Sequence, residues 1–339
     1  MKKMCLVLMA VCIGAAFIAL TILKSDAETI QLTYANFFPP NHIQSQLVDS
    51  WIKEVETRTN GRVKIKHYPA QTLLKSDELY EGVVKGRADL GMIVLAYTPG
   101  RFPVMSTVDL PLGYTTGKVA TAVANVVYRK FRPKELTDTR LMYLHAHGPG
   151  LICTRGKAVR RLEDMRGLRL RAHGDSARMV EALGGIAVSK PMPETYQMIK
   201  KGLVAGAVHP MEALKGWKLG EVDDYVTAAY ASAYTTTFCN FMNIDKWNAL
   251  PKDIQTIIEE LNNEWVVQHG EAWDTSDREG MQYFLSLGRQ IIGLDAVESA
   301  RWKKAVAPIM ENHVKYLNGK GLNGREIVDF TINALQSMQ

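Results

Sequence analysis

The usual catalytic signatures are missing from this 339-residue chain. It contains no Gly-x-Ser-x-Gly elbow, no His-Glu-x-x-His, no Walker A run and no Gly-x-Gly-x-x-Gly opening a helix after a strand. That removes the commonest hydrolase, zinc-protease and nucleotide-binding chemistries. Cysteine is scarce, at four residues, too few for a disulfide framework. No second long apolar run follows the N-terminal one, so a multi-span membrane protein is excluded. The formal net charge of +6 is small and spread along the chain, without the clustered basic face of a nucleic-acid binder. No stretch is rich in Pro, Ser or Gly, and no short repeat occurs, which excludes linkers and solenoids. With 47% apolar and 22% charged residues, the composition is that of a globular protein.

What is present begins with a three-part N-terminal pattern. Lys2 and Lys3 precede an apolar run from Cys5 to Leu23, and Ser25-Asp26-Ala27 places small residues around a cleavage point. Residues 1–27 read as a signal peptide; an uncleaved anchor is the alternative, because the run is long enough to span. Either way the expected location is outside the cytoplasm, in the periplasm. Cys153 and Cys239 then remain, as a disulfide or as two buried thiols.

The rest is long enough for two domains. A short strand at Leu32–Ala35 gives way to the loop Asn36–His42. Leu47, Val48, Trp51, Ile52 and Val55 recur at helical spacing until Asn60-Gly61. Val63, Ile65 and His67 alternate with Lys64 and Lys66 as a half-buried strand. A second helix begins near Ser76, and Leu90–Leu95 is a buried strand. The strand–helix alternation predicts a mostly parallel sheet covered by helices. The pattern restarts after residue 150 with Leu151–Thr154, Leu168–Ala172 and helices at Ser176–Leu183 and Glu194–Lys201. Apolar positions at helical spacing from Pro251 to Gly288 predict a strut across both domains, with Gly270 and Gly280 as points of bending or interruption. Two more helices are expected, at Trp302–Leu317 and Gly324–Met338.

Several residues could carry chemistry. His145 and His147 share one side of a strand, but no carboxylate or cysteine completes a metal set. Arg169 and Arg171 lie at the end of a strand, where open α/β sheets bind ligands. A guanidinium there offers two parallel N–H donors to a carboxylate or sulfonate. Spacing alone equally allows a solvated basic pair.

Taken in order, several segments resemble the extracytoplasmic solute-binding subunits of TRAP transporters, the DctP type. They are Trp51–Val63, Tyr80–Asp89, Tyr97–Pro103 with Asp109–Leu112, Leu162–Arg171, Glu194–Pro210, and Asn243–Trp247 with Leu250-Pro251. The resemblance covers nearly the whole chain after the leader. It implies an α/β, two-domain periplasmic-binding-protein-like fold with two sheets flanked by helices and a long domain-bridging helix. The expected division is 28–150 plus about 236–270 for the first domain and 151–235 plus about 271–339 for the second. Hinges are expected near residue 150 and near Tyr234–Asn240.

The resemblance further implies that Arg171 makes the bidentate contact to a small organic acid, which is then handed to the small and large TRAP membrane subunits. No cofactor and no metal are implied. His209 falls where members commonly carry Asn, so an imidazole replaces an amide. Asn36, Phe37, Phe38, Tyr97, His147, Trp217, Tyr234 and Phe238 are the further candidates for the cleft, with Glu212 and Asn240 as partners for a ligand hydroxyl. Leu151 and Ile152 stand where sialic-acid binders carry a second Arg, which argues against that ligand. The segment Pro191–Glu194 is short and lacks the usual aromatic. A C4-dicarboxylate, a 2-oxo acid, an aromatic acid or a small sulfonate would each satisfy one Arg. The competing reading is a secreted enzyme acting on a small carboxylate, with His147 or His209 as base.

Overall fold

The computed structural model describes residues 29–339; the leader expected over residues 1–27 lies outside the described residues. The first lobe begins with β1 (Ile30–Ala35), α1 (Ile43–Arg58), β2 (Val63–Tyr68), α2 (Leu79–Val84) and β3 (Leu90–Val94). It continues with α3 (Gly117–Phe131) and β4 (Thr139–Ala146). The chain then crosses to build β5 (Leu151–Thr154), β6 (Arg169–Ala172), α4 (Gly174–Ala182), β7 (Ile186–Ser189) and α5 (Thr195–Lys200). After these come β8 (Gly206–His209), α6 (Glu212–Gly216) and β9 (Tyr225–Ala228). It returns through β10 (Thr237–Asn243) and α7 (Ile244–Ala249), and closes with α8 (Lys252–Ser286), β11 (Gln290–Gly293), α9 (Ala296–Gly319) and α10 (Gly324–Met338).

Each lobe is a mixed sheet under helices. The first sheet runs β2-β1-β3-β10-β4 and the second β11-β9-β5-β8-β6-β7. β10 is antiparallel to both neighbours, and β5 is antiparallel to β8 and β9. The sheets are therefore less purely parallel than the strand–helix alternation implied. Local sequence explains the elements. Val48, Trp51, Ile52 and Val55 bury one face of α1, and Asn60 and Gly61 adopt positive φ to end it. In β2, Val63 and Ile65 are buried while Lys64 and Lys66 are exposed.

The two crossings run side by side. Gly150 and Tyr234 form a bridge, with Gly150 N donating to the Tyr234 carbonyl at 2.8 Å. The hinge positions expected from sequence are thus neighbours in space. Cys153 lies in β5 and Cys239 in β10, one in each lobe, and both are free buried thiols.

The strut is a continuous helix of 35 residues, or about 52 Å. Ile254, Ile258, Leu261, Trp265 and Trp273 of α8 enter the first lobe's core, and Phe284 enters a cluster with Leu151, Cys153 and Val226 of the second. Gly270 and Gly280 do not interrupt it. A Cβ on Gly280 would stand 2.0 Å from the Met211 carbonyl, and one on Gly270 would stand 3.2 Å from Lys118 Cα. They are the points where each lobe's backbone closes on the helix. The C-terminal end departs from the expected division. Ile327, Val328 and Leu335 of α10 pack with Val123, Val127 and Leu136 of the first lobe, not with the second. Helix α9 joins both: Trp302 and Val306 sit in the second lobe's core, Val314 and Leu317 in the first's. No helix among the described residues is long and apolar enough to cross a membrane.

Candidate functional site

A cavity lies between the lobes, beside the carboxyl ends of β1, β3, β6 and β8, with about 360 Å³ of atom-free space when its opening to solvent is counted. That is the position where open α/β sheets hold small molecules. The loop after β1 supplies Phe37 and Phe38, and the turn after β3 supplies Tyr97. Strand β6 supplies Arg171, β8 supplies His209, and the returning crossing supplies Tyr234, Thr236 and Phe238.

Arg171 sets the electrostatics. In β6, Arg169 is exposed while Arg171 is 1% exposed, so only the second of the pair turns inward. Its Nε donates to the Lys190 carbonyl at 2.8 Å, and Nη2 points at the Tyr97 hydroxyl at 3.5 Å. Tyr97 is itself fixed, because its oxygen accepts from Met192 N at 2.9 Å. Among the described residues no carboxylate pairs with this guanidinium. A buried charge without a counter-charge is costly, and the cavity is where that cost can be offset.

The other ionisable groups around it are held neutral or tied up. Burial pushes the His147 pKa down to about 4, with Arg171 among the smaller causes. His147 Nδ1 donates to the Gly148 carbonyl at 2.6 Å, which leaves Nε2 as an acceptor. His173 lies two residues beyond Arg171, and burial, followed by the Arg171 charge, lowers its pKa well below the ordinary value. Its Nδ1 has no protein partner. Burial disfavours a charged His209, but Cys153 and the Asp223 carboxylate beside it outweigh this and hold the ring's pKa above its usual value. His209 therefore does not titrate as a free imidazole near pH 6.5. Glu212, 3% exposed, is bonded to His42 Nε2 of the first lobe.

The remaining wall is aromatic. Phe37 and Phe38 stack at 4.5 Å, Phe37 and Trp217 at 6.3 Å, and Phe238 and Trp273 at 5.1 Å. These rings pack against one another and present a continuous apolar wall on which a flat ring can stack. Met192 fills the short segment that lacks an aromatic, while Lys190 next to it carries the carbonyl that fixes Arg171.

Ten of the residues singled out in the sequence thus surround one cavity: Phe37, Phe38, Tyr97, His147, Arg171, His209, Glu212, Trp217, Tyr234 and Phe238. Two do not. Asn36 is fully buried in its own loop, bonded to Ser45 Oγ, His67 Nε2 and Phe38 N. Asn240 lies deeper along β10 and accepts from the Tyr34 hydroxyl inside the first lobe. Both are corrections with one cause: the side-chain oxygen is claimed within its own lobe, although Asn240 Nδ2 is buried without a partner. His173, Thr236 and Trp273 were missed. His173 could have been found from its i, i+2 relation to Arg171, whereas Trp273 looked like one more apolar position on the strut.

Below the cavity, Asp277 of α8 accepts from Glu212 N at 2.8 Å, and burial raises its pKa to about 8. The folded protein holds this proton where the unfolded chain, with a pKa near 3.8, has released it. Asp277 therefore lowers stability progressively as pH rises from about 4 to about 8. Asn keeps an oxygen acceptor without the charge. Asp277→Asn is expected to raise the melting temperature by several degrees at pH 8 and by much less at pH 5, as scanning calorimetry at the two pH values would record.

Comparisons with known proteins agree with this architecture. The family model described as bacterial extracellular solute-binding protein, family 7, matches residues 34–316. A TRAP periplasmic solute-binding protein from Desulfovibrio salexigens is 31% identical, with a TM-score of 0.80, covering 91% of this chain and 96% of that one. A marine metagenome TRAP solute-binding protein specific for aromatic acids, in complex with 3-hydroxybenzoate, is 27% identical with a TM-score of 0.87, covering 92% and 99%. A TRAP solute-binding protein from Rhodoferax ferrireducens in complex with benzoate is 27% identical with a TM-score of 0.85, covering 91% and 98%. With two lobes, a bridging helix and a match over most of its length, this chain belongs to the bacterial extracellular solute-binding proteins of family 7.

Proposed function

We propose that this protein is an extracytoplasmic receptor that closes over a small aromatic carboxylate and delivers it unchanged to TRAP-type membrane subunits. The single observation that carries the reading is the buried, carboxylate-free guanidinium of Arg171 at the end of an aromatic-walled cavity. The acid supplies the missing counter-charge through two parallel N–H···O bonds. Its ring packs on the wall formed by Phe37, Phe38, Trp217 and Phe238, where apolar burial and stacking add affinity. The lining contains one guanidinium and no lysine, which favours a monoanion over a dicarboxylate. Relatives in complex with benzoate and 3-hydroxybenzoate support the same ligand class.

In the open state the guanidinium is hydrated. Capture and closure expel that water, and the charge pair strengthens as the local dielectric falls. Only a ligand that touches both lobes favours the closed form over the open one. The candidate residues play separable roles: Arg171 and Tyr97 hold the carboxylate end, the aromatics hold the ring, and His147 Nε2 accepts from a ring hydroxyl.

A thermal-shift series with benzoate, 3-hydroxybenzoate, mandelate, succinate and glucuronate tests the reading, because a ligand that binds the folded state raises the melting temperature with concentration. The aromatic acids are expected to give the largest shifts. A larger shift with succinate or glucuronate than with any aromatic acid would contradict it.

A further inference from the structure

Behind the cavity wall formed by His209, three chemically different side chains meet. Cys153 of β5, His209 of β8 and Asp223 just before β9 each offer one donor atom within 4.8 Å of the others, and all three are buried. Cys153 and His209 belong to adjacent strands of one sheet and Asp223 leads into the strand on the other side: Cys153 is in register with Ala207 of β8 and Val226 of β9. The fold therefore places them together whether or not the lobes are closed. None of the three is needed to hold the carboxylate at Arg171.

The hydrogen bonding of His209 fixes its tautomer. Nδ1 lies 2.8 Å from the Pro210 carbonyl. A carbonyl oxygen only accepts, so Nδ1 carries a hydrogen. Nε2 lies 3.1 Å from Asp223 Oδ2, so it either donates a hydrogen there, which makes the ring a cation, or shares a metal ion with that oxygen. A proton would satisfy this one contact. It would leave Asp223 Oδ1, buried at 0% exposure, without a partner. It would also leave the Cys153 sulfur 3.7 Å from an Nδ1 hydrogen already given to Pro210.

We propose that Cys153, His209 and Asp223 form a binding site for a thiophilic divalent cation of the zinc type. A dication with one thiolate and one carboxylate is a neutral cluster, which suits a site shielded from water. The Nδ1–H···O=C bond to Pro210 is the outer contact that orients a metal-bound imidazole. Around tetrahedral zinc, nitrogen and oxygen donors stand about 3.3 Å apart, and sulfur and nitrogen about 3.6 Å. The Nε2–Oδ2 pair, at 3.1 Å, is close to that spacing, whereas the Cys153 sulfur stands 3.7 Å from Nδ1 and has to turn toward Nε2 for the three donors to share one ion. The Cys153 thiol gives its proton to solvent on binding, so loading strengthens as pH rises. One tetrahedral position remains for water. Because His209 and Pro210 line the cavity, the ion would pin that wall from behind.

Cobalt titration of the metal-free full chain tests the site, since Co²⁺ takes zinc-type ligands and reports them by colour. One equivalent is expected to produce a near-ultraviolet thiolate-to-cobalt band together with strong visible bands of four-coordinate cobalt. Added Zn²⁺ should bleach both and raise the melting temperature. Cys153→Ser should abolish the near-ultraviolet band, and Asp223→Asn should weaken cobalt binding at least about tenfold. Absence of a thiolate band in the wild-type chain at excess Co²⁺ would overturn the proposal, as would an unchanged band in Cys153→Ser. The wild-type spectrum alone decides the matter if either variant fails to fold. An NMR spectrum with both His209 ring hydrogens present at neutral pH, and unmoved by Zn²⁺, would assign the position to a proton and overturn the site as well.

Discussion

Arg171→Gln is expected to lose at least about a hundredfold in affinity for the acid while the ligand-free protein melts within about 3 °C of wild type. Removing one partner of a buried charge pair typically costs about 3–5 kcal/mol, and each 1.4 kcal/mol is about tenfold in dissociation constant. The two halves of the prediction come from the same fact. In the ligand-free protein Arg171 has only the Lys190 carbonyl and a long contact to Tyr97. It contributes little to the fold and carries a desolvation cost, and glutamine replaces that buried charge with a neutral amide. Arg171→Lys should fall between the two, because an ammonium keeps the charge and loses the paired geometry. Calorimetry measures the affinities, and thermal denaturation without ligand measures the second half. A variant that binds normally, or one that fails to fold, would each contradict the assignment.

The second large effect concerns closure. His42 caps α1 in the first lobe, and its Nδ1 accepts from Gln44 N at 3.2 Å. That leaves Nε2 as the donor to Glu212 of the second lobe. The bond exists only when the lobes are together, and both groups are buried there. Hydrogen bonds to charged groups contribute about 1.5–3 kcal/mol. Glu212→Ala should therefore weaken ligand affinity by about ten- to a hundredfold through loss of the closed form. Glu212→Gln retains an oxygen acceptor for Nε2 and should recover much of it. Small-angle scattering at saturating acid reports the shape: wild type and Glu212→Gln should contract, and Glu212→Ala should contract less. Equal contraction of all three would remove the latch from the account.

Much of this architecture was readable from local pattern. Alternation in β2, the stripe of α1, and the limits of α10 follow from apolar spacing and from terminating glycines and asparagines. The strut was legible because 35 residues of helical spacing leave little else to do. Its two glycines read as possible interruptions because nothing local says that a carbonyl from residue 211 will lie against residue 280. The same limit explains α10, whose apolar face fits either lobe until α3 is placed. In the site, Arg171 was separated from Arg169 by the resemblance to Leu162–Arg171 of known binders. Strand alternation alone left both on one side. Asn36 and Asn240 were chosen because they are polar and lie near the cleft in sequence. The Asn240 side-chain oxygen is taken by Tyr34, 206 residues away, and such pairings leave no mark on a single sequence. Cys153 and Asp223 were likewise invisible as partners of His209.

The central claim is that a solute carboxylate supplies the counter-charge of Arg171. Calorimetry with the best-bound acid and its uncharged amide, each against wild type and Arg171→Gln, measures that pairing. The account predicts that wild type prefers the acid at least about a hundredfold, and that the preference collapses to within about fivefold in the variant. Equal binding of acid and amide by the wild-type protein would contradict it.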